Sequence, residues 1–260
     1  MTDSKTNKML VNVVLDRSGS MESNRAGTIS GYNEYVNGLR ADKESEFELS
    51  LIQFDAHGSA SEPELTVSYQ DKPLAEVPEL TAADYEPRGS TPLYDAIGEC
   101  VRRVEAKGRA ITMVVITDGM ENASKEFTLE SVKALIKQKE TEGWTFVFIG
   151  AEIDSYAVGG AFGMATANIS NYRKGQEADV FTSLLSGTLR RSASNREEGV
   201  LNASMAPFFA DSEKAAMGDV EAQGGNPTGP ATFPGKSRVS TKITPPKVDR
   251  PKRRLWTFGK

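Results

Sequence analysis

Three short polar clusters in the chain carry side chains that can bind a metal ion. They are residues 16–20 (Asp-Arg-Ser-Gly-Ser), 89–92 (Gly-Ser-Thr-Pro) and 117–119 (Thr-Asp-Gly). Every candidate ligand in them presents oxygen, and none presents nitrogen or sulfur, which favours a hard cation over zinc or copper. The candidate ligands are Asp16, Ser18, Ser20, Thr91 and Asp118.

A magnesium ion suits this set of ligands, with manganese as the alternative. Mg²⁺ prefers near-octahedral oxygen coordination and keeps several waters, so a few carboxylates and hydroxyls are enough to hold it. Within residues 16–20, alternate side chains can turn toward one point, and Gly19 relaxes the backbone between them. The spacing therefore predicts a Mg²⁺ or Mn²⁺ site in a loop.

The predicted site is short of negative charge. Only two of the ligands are carboxylates, and hydroxyls add no formal charge, so a doubly charged ion would gain from another anionic oxygen. A Glu or Asp carboxylate of a protein partner is the natural source. Arg17, inside the first cluster, and Glu121, near the third, lie where they would contact such a partner. This interpretation predicts binding rather than turnover, and hence a protein that is not an enzyme.

The segments around these clusters have patterns that indicate strands and helices in alternation. Residues 9–15, 111–116 and 144–149 are short apolar runs, typical of strands buried on both faces. After each run, apolar residues recur at helical spacing. Two runs that alternate apolar and polar residues, 47–51 and 65–69, predict an antiparallel hairpin at a sheet edge.

This alternation predicts an α/β fold with a doubly wound, mostly parallel sheet. Ligand sites in such sheets lie beyond the carboxyl ends of the strands, at the point where the strand order reverses. Asp16 and Asp118 would meet there if the strands they follow are neighbours. A helix over 154–162, a short strand near 165–169 and a long helix around 177–191 would complete the domain.

Taken together, the three clusters resemble the metal-ion-dependent adhesion site of von Willebrand factor A (VWA) domains. The resemblance covers about residues 8–170 and could extend to residue 195. It implies a Rossmann-like sheet with one antiparallel edge strand. It also implies that the metal is bound directly by three hydroxyl residues, Ser18, Ser20 and Thr91. The two aspartates would lie close to the metal or be bridged to it through water, and a partner's Glu or Asp would complete the coordination.

The carboxyl-terminal part of the chain differs in composition from the rest. We assign 1–195 to the VWA-like domain and 196–210 to an extension of it. Residues 211–235 hold five Gly and three Pro, which predicts a linker. Residues 236–260 carry nine Lys or Arg and one acid, a charge of +8, so residues 1–235 must carry −13 to give the net charge of −5. We predict a flexible tail here, with three apolar residues that could dock on a partner: Leu255, Trp256 and Phe258.

Other interpretations of these residues stay open. Asp16 and the two serines could simply cap the following helix, and Thr91-Pro92 is also a typical helix start. A metal-dependent phosphoryl hydrolase would also place a carboxylate after the first strand, but an aspartyl-nucleophile phosphatase needs a second acid where Ser18 stands. An assembly protein joined through its tail is a further alternative. The lone His57 falls in the predicted hairpin loop, with no nucleophile pattern nearby.

Composition favours a soluble protein of the cytoplasm. The first eight residues include no apolar leader, and no stretch approaches the ~20 apolar residues of a membrane helix. The acidic body argues against nucleic acid as the partner, although the basic tail alone could contact phosphates. The single cysteine, Cys100, falls on an apolar helical stripe and is expected in the core.

Overall fold

A six-stranded sheet forms the centre of the protein. The computed structural model describes residues 5–58 and 62–219. The strands are β1 (Lys8–Asp16), β2 (Glu46–His57), β3 (Glu62–Pro73), β4 (Ala110–Thr117), β5 (Thr145–Ala151) and β6 (Ile169–Tyr172). Their order is β3-β2-β1-β4-β5-β6, and all neighbours are parallel except β2 and β3. The predicted α/β sheet, mostly parallel with one antiparallel edge strand, is therefore confirmed.

Helices cover both faces of this sheet. Those in the described part are α1 (Arg25–Ala41), α2 (Leu93–Arg103), α3 (Leu129–Thr141), α4 (Ser155–Ala161), α5 (Glu177–Glu197), α6 (Val200–Met205) and α7 (Asp211–Ala216). Helices α1 and α5 pack on one face, and α2, α3 and α4 pack on the other. Each face of the sheet has its own core, the first under α1 and α5 and the second under α2, α3 and α4. Along β1, Val11 and Val13 face the first core and Leu10 and Val14 face the second, which explains the continuous apolar run. Cys100 is buried in the second core, as expected.

The point where the strand order reverses lies between β1 and β4. These strands are direct neighbours, with Leu15 opposite Ile116. Both end at the same edge of the sheet because they are parallel. The condition that the sequence left open, that Asp16 and Asp118 follow adjacent strands, is therefore met.

Two elements differ in extent from the sequence prediction. A 3-10 helix over Thr166–Asn168 occupies the place of the predicted strand, which begins only at Ile169. This edge strand is four residues long, too short to show a periodic pattern. Helix α5 extends beyond the predicted residue 191 to Glu197.

The predicted linker is wrong for its first nine residues. Residues 211–219 form α7 and the turn after it, and Met217 is fully buried. The buried Lys214 donates from Nζ to Tyr156 Oη over 3.0 Å, and Tyr156 Oη donates to Asp219 Oδ2 over 2.7 Å. The composition of 211–235 was misleading because all but one of its Gly and Pro residues lie beyond residue 219.

The remaining predictions for the carboxyl-terminal part concern residues outside the described ranges. These are the linker from residue 220 onward and the basic tail with Leu255, Trp256 and Phe258, which stay predictions. Among residues 5–58 and 62–219, no helix has both the length and the apolar character to cross a bilayer.

Candidate metal site

The loops that follow β1 and β4 meet through their side chains. Ser20 Oγ donates to Asp118 Oδ1 over 2.5 Å, and Ser18 Oγ lies 3.1 Å from Ser20 Oγ. Ser20 and Asp118 are 98 residues apart in the chain. The tertiary structure thus brings together three of the five candidate ligands.

Asp16 lies beneath this contact as a fully buried carboxylate. Its Oδ1 accepts from the backbone N–H of Ser18 over 2.6 Å, and its Oδ2 accepts from Thr117 Oγ1 over 2.5 Å. Burial raises the pKa of Asp16 to about 7, because these hydrogen bonds offset only part of the hydration that the carboxylate loses. The negative charge of Asp118 raises this pKa further. Since both of these donors are neutral, the charge of Asp16 would gain from a nearby cation.

Thr91 is fixed by hydrogen bonds to Asn122, in the loop after β4. Thr91 N donates to Asn122 Oδ1 over 2.8 Å, and Asn122 N donates back to Thr91 O over 3.1 Å. The Thr91 hydroxyl lies against Gly119, where a Cβ would be only 2.5 Å from Thr91 Oγ1. Thr91 therefore borders the residue that directly follows Asp118, and only glycine leaves its hydroxyl in place.

Backbone hydrogen bonds fix the loop of residues 16–20 against the loop of residues 89–92, and the latter against β2. Gly19 N donates to Gly89 O over 3.1 Å, and Ser90 forms an antiparallel bridge with Ala56 near the end of β2. Gly89 has a φ of +65°, and a Cβ there would lie 2.0 Å from Ala56 O. Glycine is required at this position both by its backbone conformation and by the close approach of β2.

Arg17 does not face a partner, contrary to the sequence prediction. Its side chain is buried, and its Nη2 donates to Asp55 Oδ1 over 3.0 Å and to Thr66 Oγ1 over 3.1 Å. Asp55 is fully buried on β2, so its carboxylate needs a cationic partner within the fold. Arg17 thus connects the first loop to the hairpin instead of contacting ligands at the surface.

Glu121 is also engaged inside the protein. Its Oε1 accepts from Ala123 N and Ser124 N over 2.9 and 2.7 Å, and its Oε2 accepts from Tyr94 N over 2.9 Å. These bonds order the loop after β4 and tie it to the first turn of α2. These bonds give Glu121 a positioning role, and its contact with a partner stays a prediction.

Two positioning residues had no role assigned from the sequence: Asn122, which follows the third cluster, and Asp95. The Asp95 side chain is buried. It accepts hydrogen bonds from the backbone N–H groups of Lys125, Glu126 and Phe127 over 2.8, 2.9 and 2.7 Å. Asp95 lies on α2, so no local pattern connects it with the loop that it orders.

A second group of potential ligand atoms lies at the end of the hairpin. Asp55, His57 and Glu64 have atoms within 4.8 Å of one another. However, Arg88 Nε lies 2.6 Å from Asp55 Oδ2, and Arg17 and Arg88 both pair with Glu64. The two guanidinium groups already balance the two carboxylates, so this group is unfavourable for a further cation.

The fold is shared with solved structures of low sequence identity. Proximal thread matrix protein 1 from the mussel byssus is 12% identical, with a TM-score of 0.55 over 71% of this chain and 47% of that chain. The pilus adhesin SpaC from Lactobacillus rhamnosus GG is 12% identical, with a TM-score of 0.52 over 74% of this chain and 31% of that chain. The vWF domain of the type V pili tip protein Mfa5 from Porphyromonas gingivalis is 10% identical, with a TM-score of 0.50 over 73% of this chain and 96% of that domain.

These likenesses establish the fold, which is that of VWA domains. The chain spans less than half the length of the mussel protein and of SpaC. No protein-family model matches the sequence, and neither does any curated protein. A shared fold does not define a function, so only the residues of the site bear on the function of this chain.

The substitution Asp16→Asn should stabilise the protein when metal is absent. Asparagine can still accept from Ser18 N and can donate to Thr117 Oγ1, while the poorly compensated buried charge is removed. We expect a melting temperature in EDTA higher by roughly 2–4 °C, which corresponds to about 1 kcal/mol in a protein of this size. The same variant should show no stabilisation by Mn²⁺. A lower melting temperature in EDTA would mean that the fold already balances this carboxylate.

The substitution Gly119→Ala should displace the Thr91 hydroxyl with little effect on stability. The added methyl group would overlap Thr91 Oγ1, the movable end of a side chain. We expect weaker binding of Mn²⁺ in titration calorimetry and a melting temperature in EDTA close to that of the wild type. Gly160→Ala is the matched control, because a Cβ at this exposed helical position meets nothing within 4 Å. Equal Mn²⁺ affinity in the two variants would exclude a role for the Thr91 hydroxyl.

Proposed function

We propose that this protein is a divalent-metal-dependent protein-binding module. Five residues would hold Mg²⁺, or Mn²⁺ in its place: Asp16, Ser18, Ser20, Thr91 and Asp118. The observation that supports this most directly is the contact of Ser20 Oγ with Asp118 Oδ1 at 2.5 Å, with Ser18 Oγ beside it. These oxygens come from separate loops and would be a natural set of ligands for a hard cation.

The chemistry of the site favours an acidic residue of the partner. A bound divalent ion would supply a Lewis-acidic centre able to accept a carboxylate oxygen. Asp16 and Asp118 contribute two negative charges, which only balance the two positive charges of the ion, and the hydroxyls of Ser18, Ser20 and Thr91 add none. The local charge therefore leaves room for one more anion, which a Glu or Asp side chain of a protein would supply.

The rigid support of the site fits binding better than turnover. The loops carrying these residues are fastened by backbone bonds such as Gly19 to Gly89 and by the Thr91–Asn122 pair. Preorganised ligands lower the entropic cost of association. Ser18 stands where an aspartyl-nucleophile phosphatase needs an acid, and His57 Nδ1 is near Asp55 and Glu64 in the hairpin. We therefore propose a binding protein and not a hydrolase.

The VWA fold is compatible with this proposal. Two of the structures that share it are described as a pilus adhesin and as a pili tip protein. These names describe those proteins, and the low identity transfers only the fold. For this chain, the arrangement of its own oxygen ligands supports the proposal.

Metal binding is tested by titrating the purified protein with Mn²⁺ and with Mg²⁺. Asp118→Asn should weaken binding at least about tenfold, because it removes one of only two carboxylates. Titration calorimetry measures the affinity, and circular dichroism checks the fold of each variant.

Glu198→Gln is the matched control for this loss of charge. Glu198 is exposed at the carboxyl end of α5, about 30 Å along the helix axis from the end near the site. It should bind Mn²⁺ as the wild type does. Equal affinities of Asp118→Asn and Glu198→Gln would contradict the proposed site.

Partner binding should depend on the same carboxylate. Affinity purification with the full chain should retain a protein in Mn²⁺ buffer that is lost both in EDTA and with Asp118→Asn. Mutating acidic residues of that protein to Gln or Asn should then abolish the interaction in a binding assay with purified components. A partner that remains bound in EDTA would favour assembly through another surface.

A further inference from the structure

A lysine ammonium is already in contact with the carboxylate at the centre of the candidate site. Lys174 Nζ lies 3.2 Å from Asp118 Oδ2 and 3.3 Å from Glu152 Oε2. The Asp118 side chain is fully buried, whereas Lys174 is 27% exposed and Glu152 is 61% exposed. The ammonium thus approaches Asp118 from the solvent side.

The topology of the sheet explains how Lys174 reaches this position. Lys174 comes two residues after β6, Glu152 comes directly after β5, and Asp118 comes directly after β4. These three strands are consecutive neighbours and parallel, so their carboxyl ends form one row. Lys174 therefore extends along this edge, past the end of β5, to the end of β4.

The loop that carries Lys174 is held in place by the segment after α7. Arg173 N donates to Met217 O over 3.1 Å, and Gln176 N donates to Arg173 O over 3.0 Å. Gly175 N donates to Glu177 Oε1 over 3.0 Å. Residues on both sides of Lys174 are thus fixed, and its ammonium is directed to Asp118 by a built structure and not by a free chain end.

The two oxygens of Asp118 have different contacts: Oδ1 is hydrogen-bonded, whereas Oδ2 is buried and has an ion pair but no hydrogen bond. Oδ1 accepts from Ser20 Oγ, and Oδ2 faces the ammonium of Lys174. A divalent cation bound at the same carboxylate would lie close to this ammonium, and the two positive charges would repel each other. A metal can therefore bind fully only if Lys174 moves away or gives up part of its interaction with Asp118.

We propose that Lys174 is an internal competitor that lowers the affinity of the site for divalent cations. The inference rests on the proposed function, because it concerns the same five ligands. Lys174 balances Asp118 in the metal-free protein, and a metal ion exchanges with it. After this exchange, the Lys174 ammonium would keep its ion pair with Glu152, which lies at the rim of the site. The affinity for metal is then set by a residue that is not itself a ligand.

The test compares the Mn²⁺ affinity of Lys174→Met with that of the wild type by titration calorimetry on the full chain. Removing the competitor should tighten Mn²⁺ binding about fivefold or more, even after allowance for the solvent exposure of the pair. Lys174→Arg keeps the positive charge and should bind nearly as the wild type does. Lys137→Met, which removes an exposed lysine of α3, is the control for net charge and should leave the affinity unchanged.

A second measurement does not depend on bound metal. In EDTA, Lys174→Met should melt at a lower temperature than Lys137→Met, because Asp118 loses its cation. Added Mn²⁺ should raise the melting temperature of Lys174→Met more than that of the wild type. Lys174→Gln, which keeps a hydrogen-bond donor, serves in both measurements if the methionine variant does not fold.

The outcomes separate this inference from the proposed function. If the wild type binds Mn²⁺ through Asp118 but Lys174→Met binds no more tightly than Lys137→Met, the inference is wrong and the metal site stands. If the wild type binds no Mn²⁺ while Lys174→Met does, the competition is supported in its strongest form. If none of these proteins binds Mn²⁺, the proposed function fails and the inference with it.

Discussion

The burial of acidic side chains at the end of two adjacent parallel strands is the constraint on which the rest of the site depends. Asp16 is fully removed from water, and the side chain of Asp118 is as well. A buried carboxylate must receive hydrogen bonds or a cation, or it destabilises the fold. The surrounding loops provide such partners: Ser18 and Thr117 for Asp16, and Ser20 and Lys174 for Asp118.

Much of the polar chemistry outside the site serves to fix these loops. Arg17 is paired with Asp55 of the hairpin, and Glu121 and Asp95 order the segment that follows β4. Arg17 and Glu121 are charged and lie close to the candidate ligands in the sequence, so they look functional there. In the structure they satisfy backbone N–H groups or buried charges, which is how irregular loops remain ordered near a surface. The side chains of the candidate metal ligands can then keep their positions when neither a metal nor a partner is bound.

The carboxyl-terminal segment contributes to the same edge of the sheet. Residues 211–219 were expected to be a linker, yet they pack against β6 and hydrogen-bond the loop that carries Lys174. Asp219 accepts from Tyr156 and from Ser170, so the segment ends in a buried polar contact. The folded part of this chain therefore includes residues 211–219, which lie beyond the region that the resemblance covered.

The sequence by itself determined the order of strands and helices, because apolar periodicity reports which faces of a segment are buried. It also determined the three polar clusters, since Asp16, Thr91 and Asp118 each lie at a junction between predicted elements. Only the tertiary structure decided which charges meet. Arg17 turned inward to Asp55, and Lys174 reached Asp118 from a loop 56 residues further along the chain. Such pairings depend on strand order and loop packing, for which periodicity holds no information.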